Sequence, residues 1–206
     1  MKKQIILFLS MTVLAVSVSA QKSVVETTSQ KRIHQSQTDS LKIKQTIGVS
    51  IDLLPPIMSA TNGNFGYSAQ LWYGYKKIRV RGVIAGFTMP DKLMGNDDFQ
   101  DLNTIATALI FDYFLKNNFK GWWFGAGTEM WNNNITSKTD TWDYTFNDYV
   151  ATAGSGYIFK VYKNFYVEPW GALHYVMNDE KVTVGATEYK TKKFQGEVSL
   201  KVGWHF

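Results

Sequence analysis

Hydrophobic and polar residues alternate with period two along most of the chain beyond residue 44, and the final stretch shows it most plainly. Phe194, Gly196, Val198, Leu200, Val202, Trp204 and Phe206 hold one parity; Gln195, Glu197, Ser199, Lys201, Gly203 and His205 hold the other. Successive side chains of a strand point to opposite faces, so this segment predicts a strand with one apolar and one polar side. Similar patterning predicts eight strands, over residues 45–54, 66–75, 77–88, 104–115, 121–131, 148–159, 165–177 and 194–206. In the first, Ile47, Val49, Ile51 and Leu53 share a face; in the fourth, Ile105, Thr107, Leu109, Phe111 and Tyr113 do. The connections alternate in length. Residues 76, 116–120 and 160–164 make short ones, while 55–65, 89–103, 132–147 and 178–193 make long polar ones.

Each predicted strand reaches the roughly 9–11 residues that a tilted membrane-crossing strand needs. An even strand count with alternating short turns and long loops predicts an all-β, antiparallel, up-and-down transmembrane barrel. The aromatics fit this reading. Tyr75, Tyr113, Trp122, Tyr157, Phe165 and Trp204 fall near one set of strand ends, and Tyr67, Tyr149, Tyr175 and Phe194, together with the non-aromatic Met130, near the other. Such rings favour the two interfaces of a bilayer. A soluble eight-stranded barrel is the rival, with the apolar face turned inward; parity alone does not say which face is which.

Residues 1–20 read as a cleavable secretory signal, with Lys2 and Lys3 before an apolar body and Val18-Ser19-Ala20 before the cut. Its removal takes Lys and Arg from 22 to 20 against 17 acids, a mild net charge of +3. The basic residues are scattered, which argues against nucleic-acid binding. The chain has no cysteine, which excludes disulfides and lipid attachment through a cysteine. Residues 21–44, rich in Gln, Ser, Thr and Lys, read as a flexible periplasmic tail, leaving 45–206 for the barrel. Asp39-Ser40-Leu41 in that tail is similar to the short O-glycosylation signal of Bacteroidota, which makes Ser40 a candidate for modification.

The terminal pattern of Leu200, Val202, Trp204 and Phe206 resembles the sorting signal of bacterial outer-membrane barrels. The chain as a whole resembles the small eight-stranded barrels of the OmpA-transmembrane, OmpX and OmpW type, in a Bacteroidota style. The resemblance implies a monomer in the bacterial outer membrane, in contact with its lipids and lipopolysaccharide and inserted by the barrel assembly machinery. No cofactor is implied.

The polar parity carries Asp52, Arg79, Arg81, Asp112, Glu129, Glu168, His174, Glu197 and Lys201, with His205 below them. Charges in a narrow lumen must be paired or hydrated. Strand positions set Asp112 beside Arg79 and Arg81, Glu168 beside Lys201, and Glu197 beside His174, which predicts two opposite-sign clusters filling the periplasmic half. Trp72, Trp123 and Trp170 share this face, and a small-ligand pocket near the outer mouth would centre on Glu129 and Trp131.

No catalytic constellation emerges. The lipid-deacylating barrels pair a His with a Ser two residues on, whereas His174 precedes Tyr175 and Val176, and His205 is penultimate. Metal binding has no His pair at ligand spacing; Asp97, Asp98 and Asp101, and Asp140 with Asp143, read as solvated loop acids. The leading expectation is a non-enzymatic scaffold presenting loops, with Trp142, Tyr144 and Phe146 as binding candidates at the tip of the third. A narrow channel or small-solute binder, and a lipid-modifying enzyme, stand as alternatives.

The sorting signal yields a direct expectation. Phe206→Ala removes the terminal aromatic and should lower the amount of heat-modifiable barrel in the outer membrane, read on unboiled gels. Normal levels would show that the terminal ring is dispensable.

Overall fold

The computed structural model describes residues 45–206 apart from 141 and 179; the signal, the tail with Ser40, and His34 lie outside the described residues. The barrel strands are β1 (Gln45–Asp52), β2 (Tyr67–Tyr75), β3 (Ile78–Thr88), β4 (Phe99–Phe114), β5 (Gly121–Ser137), β6 (Asp143–Tyr162) and β7 (Phe165–Val176). A small hairpin follows, β8 (Val182–Val184) and β9 (Thr187–Tyr189), before the last barrel strand β10 (Phe194–His205). Two short helices, α1 (Leu54–Ala60) and α2 (Asp91–Met94), sit in the first two long connections. The eight long strands close into one ring in the order β1-β10-β7-β6-β5-β4-β3-β2, every neighbour antiparallel.

The alternation resolves into an inside-out barrel. Along β1 and β2 every second residue is buried, and the buried set is Thr46, Gly48, Ser50, Asp52, Ser68, Gln70, Trp72 and Gly74. The exposed set is apolar, with Ile47, Val49, Ile51, Leu71, Ile105, Leu109 and Phe111 all pointing out of the ring. A soluble barrel would invert this. A continuous apolar outer surface is far larger than the patches that soluble monomers leave in water, and it matches the lipid-facing band of a transmembrane barrel. Trp122, Tyr113 and Trp204 ring one end of that band, and Tyr67, Tyr149, Tyr175 and Phe194 the other.

Strand lengths depart from the alternation at the outer side. β4 begins at Phe99 rather than residue 104, because Asp101 takes a left-handed φ of 53° and shifts the register between Gln100 and Asn103. β5 and β6 run for 17 and 20 residues, so most of the polar stretch expected as a third loop is a tall hairpin. Beyond the bilayer both faces of a strand meet water or protein, and the alternation that marks a spanning segment is lost. At the first outer connection the chain turns from β1 into α1, where prolines stand in the first turn and lack the N–H that a helix start leaves unbonded.

The periplasmic ends are tight. Tyr75 pairs with Ile78 across a two-residue turn in which Lys76 has φ 56°, and Tyr162 pairs with Phe165 across another in which Lys163 has φ 46°. The third turn, between β4 and β5, carries Phe119 at φ 49°, a conformation that bulky side chains seldom adopt. Its ring is 3% exposed and lies inside the barrel mouth.

Glycines on the inner face make room for this aromatic filling. A β-carbon on Gly48 would overlap the Trp72 indole, and one on Gly203 would overlap the Tyr166 ring and the Val49 carbonyl. Gly203→Val should therefore destabilise the barrel by about 1–3 kcal/mol, the usual cost of overpacking. Urea unfolding in lipid vesicles measures it; an unmoved midpoint would mean that the ring yields freely.

Candidate functional site

Three layers stack along the barrel axis, and strand parity sets each one. The lowest is aromatic. Trp72, Phe114, Phe119, Trp123, Ile158 and Tyr166 form one buried cluster. Phe119 packs tilted on Trp72 at 5.7 Å and edge-on to Phe114 at 5.4 Å. The Trp72 indole N–H donates to the Tyr166 hydroxyl at 2.9 Å, and Tyr166 stacks on His205 at 6.0 Å. The Trp72 and Tyr166 polar edges thus satisfy each other, as buried indoles and phenols require.

Above it lies a charge layer. Arg79 reaches across the lumen: its Nε donates to Asp112 Oδ2 at 2.7 Å, and its two terminal nitrogens donate to Glu168 at 3.0 and 2.9 Å. Arg81 forks onto both Asp112 oxygens at 2.7 and 3.0 Å and also donates to Gln70 Oε1 at 3.1 Å. The Arg79 guanidinium is wholly buried and lies over the rings of Phe114 and Trp123 at 5.1 and 5.2 Å. Gly125 leaves the space that the Asp112 carboxylate occupies. Two planar forks on two carboxylates form a bidentate geometry that a lysine cannot supply.

This arrangement corrects the expected pairing of Glu168 with Lys201. The two residues stand opposite each other in the β7–β10 register, yet the arginine from the far wall takes both Glu168 oxygens. Lys201 turns its ammonium over the Trp170 ring, 3.4 Å from the centroid, and its Nζ has no hydrogen-bond partner among the described residues. The periplasmic half therefore holds one network rather than two. Asp52 stands apart from it, accepting from the Leu54 amide at 3.0 Å, from the Trp170 indole at 2.7 Å and from the Ser199 hydroxyl.

Higher still, His174 stands between two carboxylates. Its Nδ1 lies 3.3 Å from Glu129 Oε1 and its Nε2 3.0 Å from Glu197 Oε2, while the Trp131 indole donates to Glu129 Oε2 at 2.7 Å. Glu129 as a second partner for His174 was not legible from neighbouring strands, because β5 and β7 are separated by β6. Between this layer and the arginines is a cavity of about 550 Å³, bordered on its polar side by Arg81, Glu129, His174, Glu197 and Lys201.

The outer connections fold into a head with its own core. Phe99, Ile135, Phe146, Val182, Val184 and Tyr189 pack together above the lumen. Phe146 is thus no tip residue: it lies in β6, 3% exposed, because its parity turns it into this core. Tyr144 is half-buried against the same core, and its hydroxyl donates to Asp140 at 2.6 Å, which holds that carboxyl below its usual range. Trp142 is 72% exposed at the turn. Burial, with Asp148 nearby, pushes the Tyr189 phenol up to about 12. A polar ladder ties the head to the wall: Thr104 to Asn133, and Asn133 and Thr191 to Asp148, at 2.7, 2.9 and 2.6 Å.

The remaining candidates lie apart from these layers. Leu200, Trp204 and Phe206 face outward on the apolar band and Val202 shares their parity half-buried. Among the described residues no group of three or more acids and histidines is placed to hold a metal.

No protein-family model matches the chain, and no curated protein matches it in sequence. Among solved structures it is similar to the N-terminal β-barrel domain of Pseudomonas aeruginosa OprF, with 13% identity and a TM-score of 0.46 over 79% of this chain and 96% of that one. It is also similar to a major outer membrane protein from Thermus thermophilus, with 10% identity and a TM-score of 0.49 over 79% and 98% of the two chains.

The charge layer predicts an asymmetry between two lumen variants. Arg79→Met strands Glu168 without its two hydrogen bonds and should cost about 3–5 kcal/mol, the usual penalty for half a buried pair. Lys201→Met leaves those bonds in place and should cost clearly less. Unfolding midpoints in vesicles compare them, and equal losses would overturn the assignment of Glu168 to Arg79.

Proposed function

We propose that this chain is a non-enzymatic, monomeric barrel of the bacterial outer membrane, sealed toward the periplasm, whose extracellular head is a scaffold for surface contact. The observation that carries the reading is the pairing of a filled lower lumen with a folded head. Side chains fill the cross-section at two successive levels, first the aromatic cluster and then the Arg79 bridge from β3 to β7. An eight-stranded interior is just wide enough to be filled in this way, which speaks against a continuous water path. The head holds its apolar core above the barrel and leaves Trp142 displayed. A rigid scaffold with displayed loop residues is the usual seat of binding.

The displayed chemistry suits carbohydrate. An exposed indole offers a flat apolar face, and Asp140 and Asp143 beside it in sequence offer acceptors. The sugars of lipopolysaccharide in the same leaflet are the nearest such partner. His174 is engaged by two carboxylates inside the lumen rather than by a hydroxyl facing lipid, which favours a structural role over lipid hydrolysis. The outward Leu200, Trp204 and Phe206 are the surface that the assembly machinery would read during insertion.

Purified lipopolysaccharide core oligosaccharide, titrated calorimetrically against the barrel in nanodiscs, tests the reading. Trp142→Ala should weaken binding about tenfold, as for loss of an aromatic contact of about 1.5 kcal/mol, without moving the unfolding midpoint. Equal binding by both proteins, or steady stepwise conductance in a planar bilayer, would overturn it.

A further inference from the structure

The barrel is not closed along its full height. β10 bonds to β1 and the residue after it only from Leu200 to Phe206, because β1 ends at Asp52 and the chain leaves into α1. On its other side β10 pairs with β7 all the way up to Phe194. The edge of β10 from Phe194 to Ser199 therefore faces no strand, and on the far side of α1 the edge of β2 above Gln70 is likewise unpaired. Phe194 and Tyr175 belong to the outer aromatic ring, 5.0 Å apart, so the gap lies below that ring, at the depth of the outer lipid leaflet. Open sheet edges are costly in hydrocarbon and are tolerated where they are buried in protein or line a water-filled cavity.

That cavity is present and reaches the gap. The 550 Å³ space above the arginines is bordered by inward residues of β10, Gln195 and Glu197, and also by outward ones, Gly196 and Val198. A space that touches both faces of one strand wraps around its free edge. Val198 is 80% exposed beside it. Away from the charges the wall is apolar, with Met58, Val83, Ala106, Ala108 and Ala172. At the inner end is the Lys201 ammonium, 1% exposed, with an aromatic face on one side and no hydrogen-bond partner among the described residues, the Asp52 and Glu168 carboxylates acting on it only through space. The neighbouring guanidinium of Arg81 is engaged by Asp112 and Gln70.

We propose that this cavity is a binding site for a single-chain amphiphile with a carboxylate head, a fatty acid drawn sideways from the outer leaflet through the gap between α1 and β10. The carboxylate accepts from Lys201, which supplies the acceptor the buried ammonium lacks. The chain lies along the apolar wall, with its end toward lipid at the gap. A polar head deep in the wall with an apolar tail toward lipid is the orientation that a lateral opening permits.

Dodecanoate is the probe, with dodecanol as its uncharged counterpart, added to the full barrel in nanodiscs and counted by native mass spectrometry after release. One dodecanoate per barrel is expected, with dodecanol at least about tenfold weaker, as for loss of one charge-assisted hydrogen bond. Lys201→Met should remove that preference and Lys201→Arg keep it. Ala108→Phe fills the apolar wall without touching a charge and should weaken both ligands, which keeps the test alive if Lys201→Met does not fold. Equal retention of acid and alcohol, unchanged in Ala108→Phe, would overturn the site, as would a dimer of the chain that holds no ligand. The route is tested separately. The chain has no native cysteine, so Val198→Cys takes a single bulky maleimide. Slower uptake of dodecanoate from the bilayer is expected, and uptake at the unlabelled rate would overturn the lateral path.

Discussion

A backbone N–H or carbonyl inside hydrocarbon has no water to turn to, so the sheet must find its own partners, and closing a ring is how strands do so. The rest of this molecule depends on where that closure succeeds. The seam between β1 and β10 runs only from Ile47, whose carbonyl accepts from the Phe206 amide, to Leu53, whose amide donates to the Leu200 carbonyl. Along it the wall is complete and the interior is solid. Above it the wall is made by a helix instead of a strand, and the interior is hollow. Asp52 marks the change: its carboxylate binds the Leu54 amide at the start of α1, the Trp170 indole and the Ser199 hydroxyl, tying together the three pieces that meet where the seam ends.

The solid half combines two kinds of filling that need each other. Arginine guanidinium groups are less strongly hydrated than ammonium groups and stack well on rings, so Arg79 can be wholly buried among Phe114, Trp123 and Trp72. Its charge is answered by Asp112 and Glu168, and the aromatic layer beneath keeps water from competing for them. A buried ion pair is weak support for net stability. Its clearer effect here is geometric: a fork fixed between β4 and β7 holds opposite walls at one distance.

Much of this was legible in the chain, and the failures share causes. Strand number, order and the sidedness of Leu200, Trp204 and Arg79 followed from a period of two, which any spanning strand must show. The pairing of Arg79 and Arg81 with Asp112 followed from adjacency of β3 and β4. The pairing of Arg79 with Glu168, and of His174 with Glu129, did not, because those contacts cross the lumen or skip a strand and no local spacing encodes them. Phe119 was missed for another reason: it stands in a turn, where parity does not apply, and only its left-handed backbone swings the ring inward. Phe146 was misread as a loop tip because polar neighbours conceal a strand once it has left the bilayer. Asp101 hid the start of β4 by breaking the alternation at a bulge.

The position of the seam also bears on how the molecule comes into being. β1 and β10 are the first and last strands of the ring, so their contact joins the segments most distant along the chain, and the entropy of closing so long a loop is repaid only when all the intervening strands are in place. Until β10 arrives, β1 holds an open edge on one side of a growing sheet. The last act is then the zipping of a few residues from Phe206 upward, halted just past Asp52 by the turn into α1. A latch that short at the end of a long assembly makes completion of the barrel an all-or-none event, and makes the same line the place where the finished wall would first come apart.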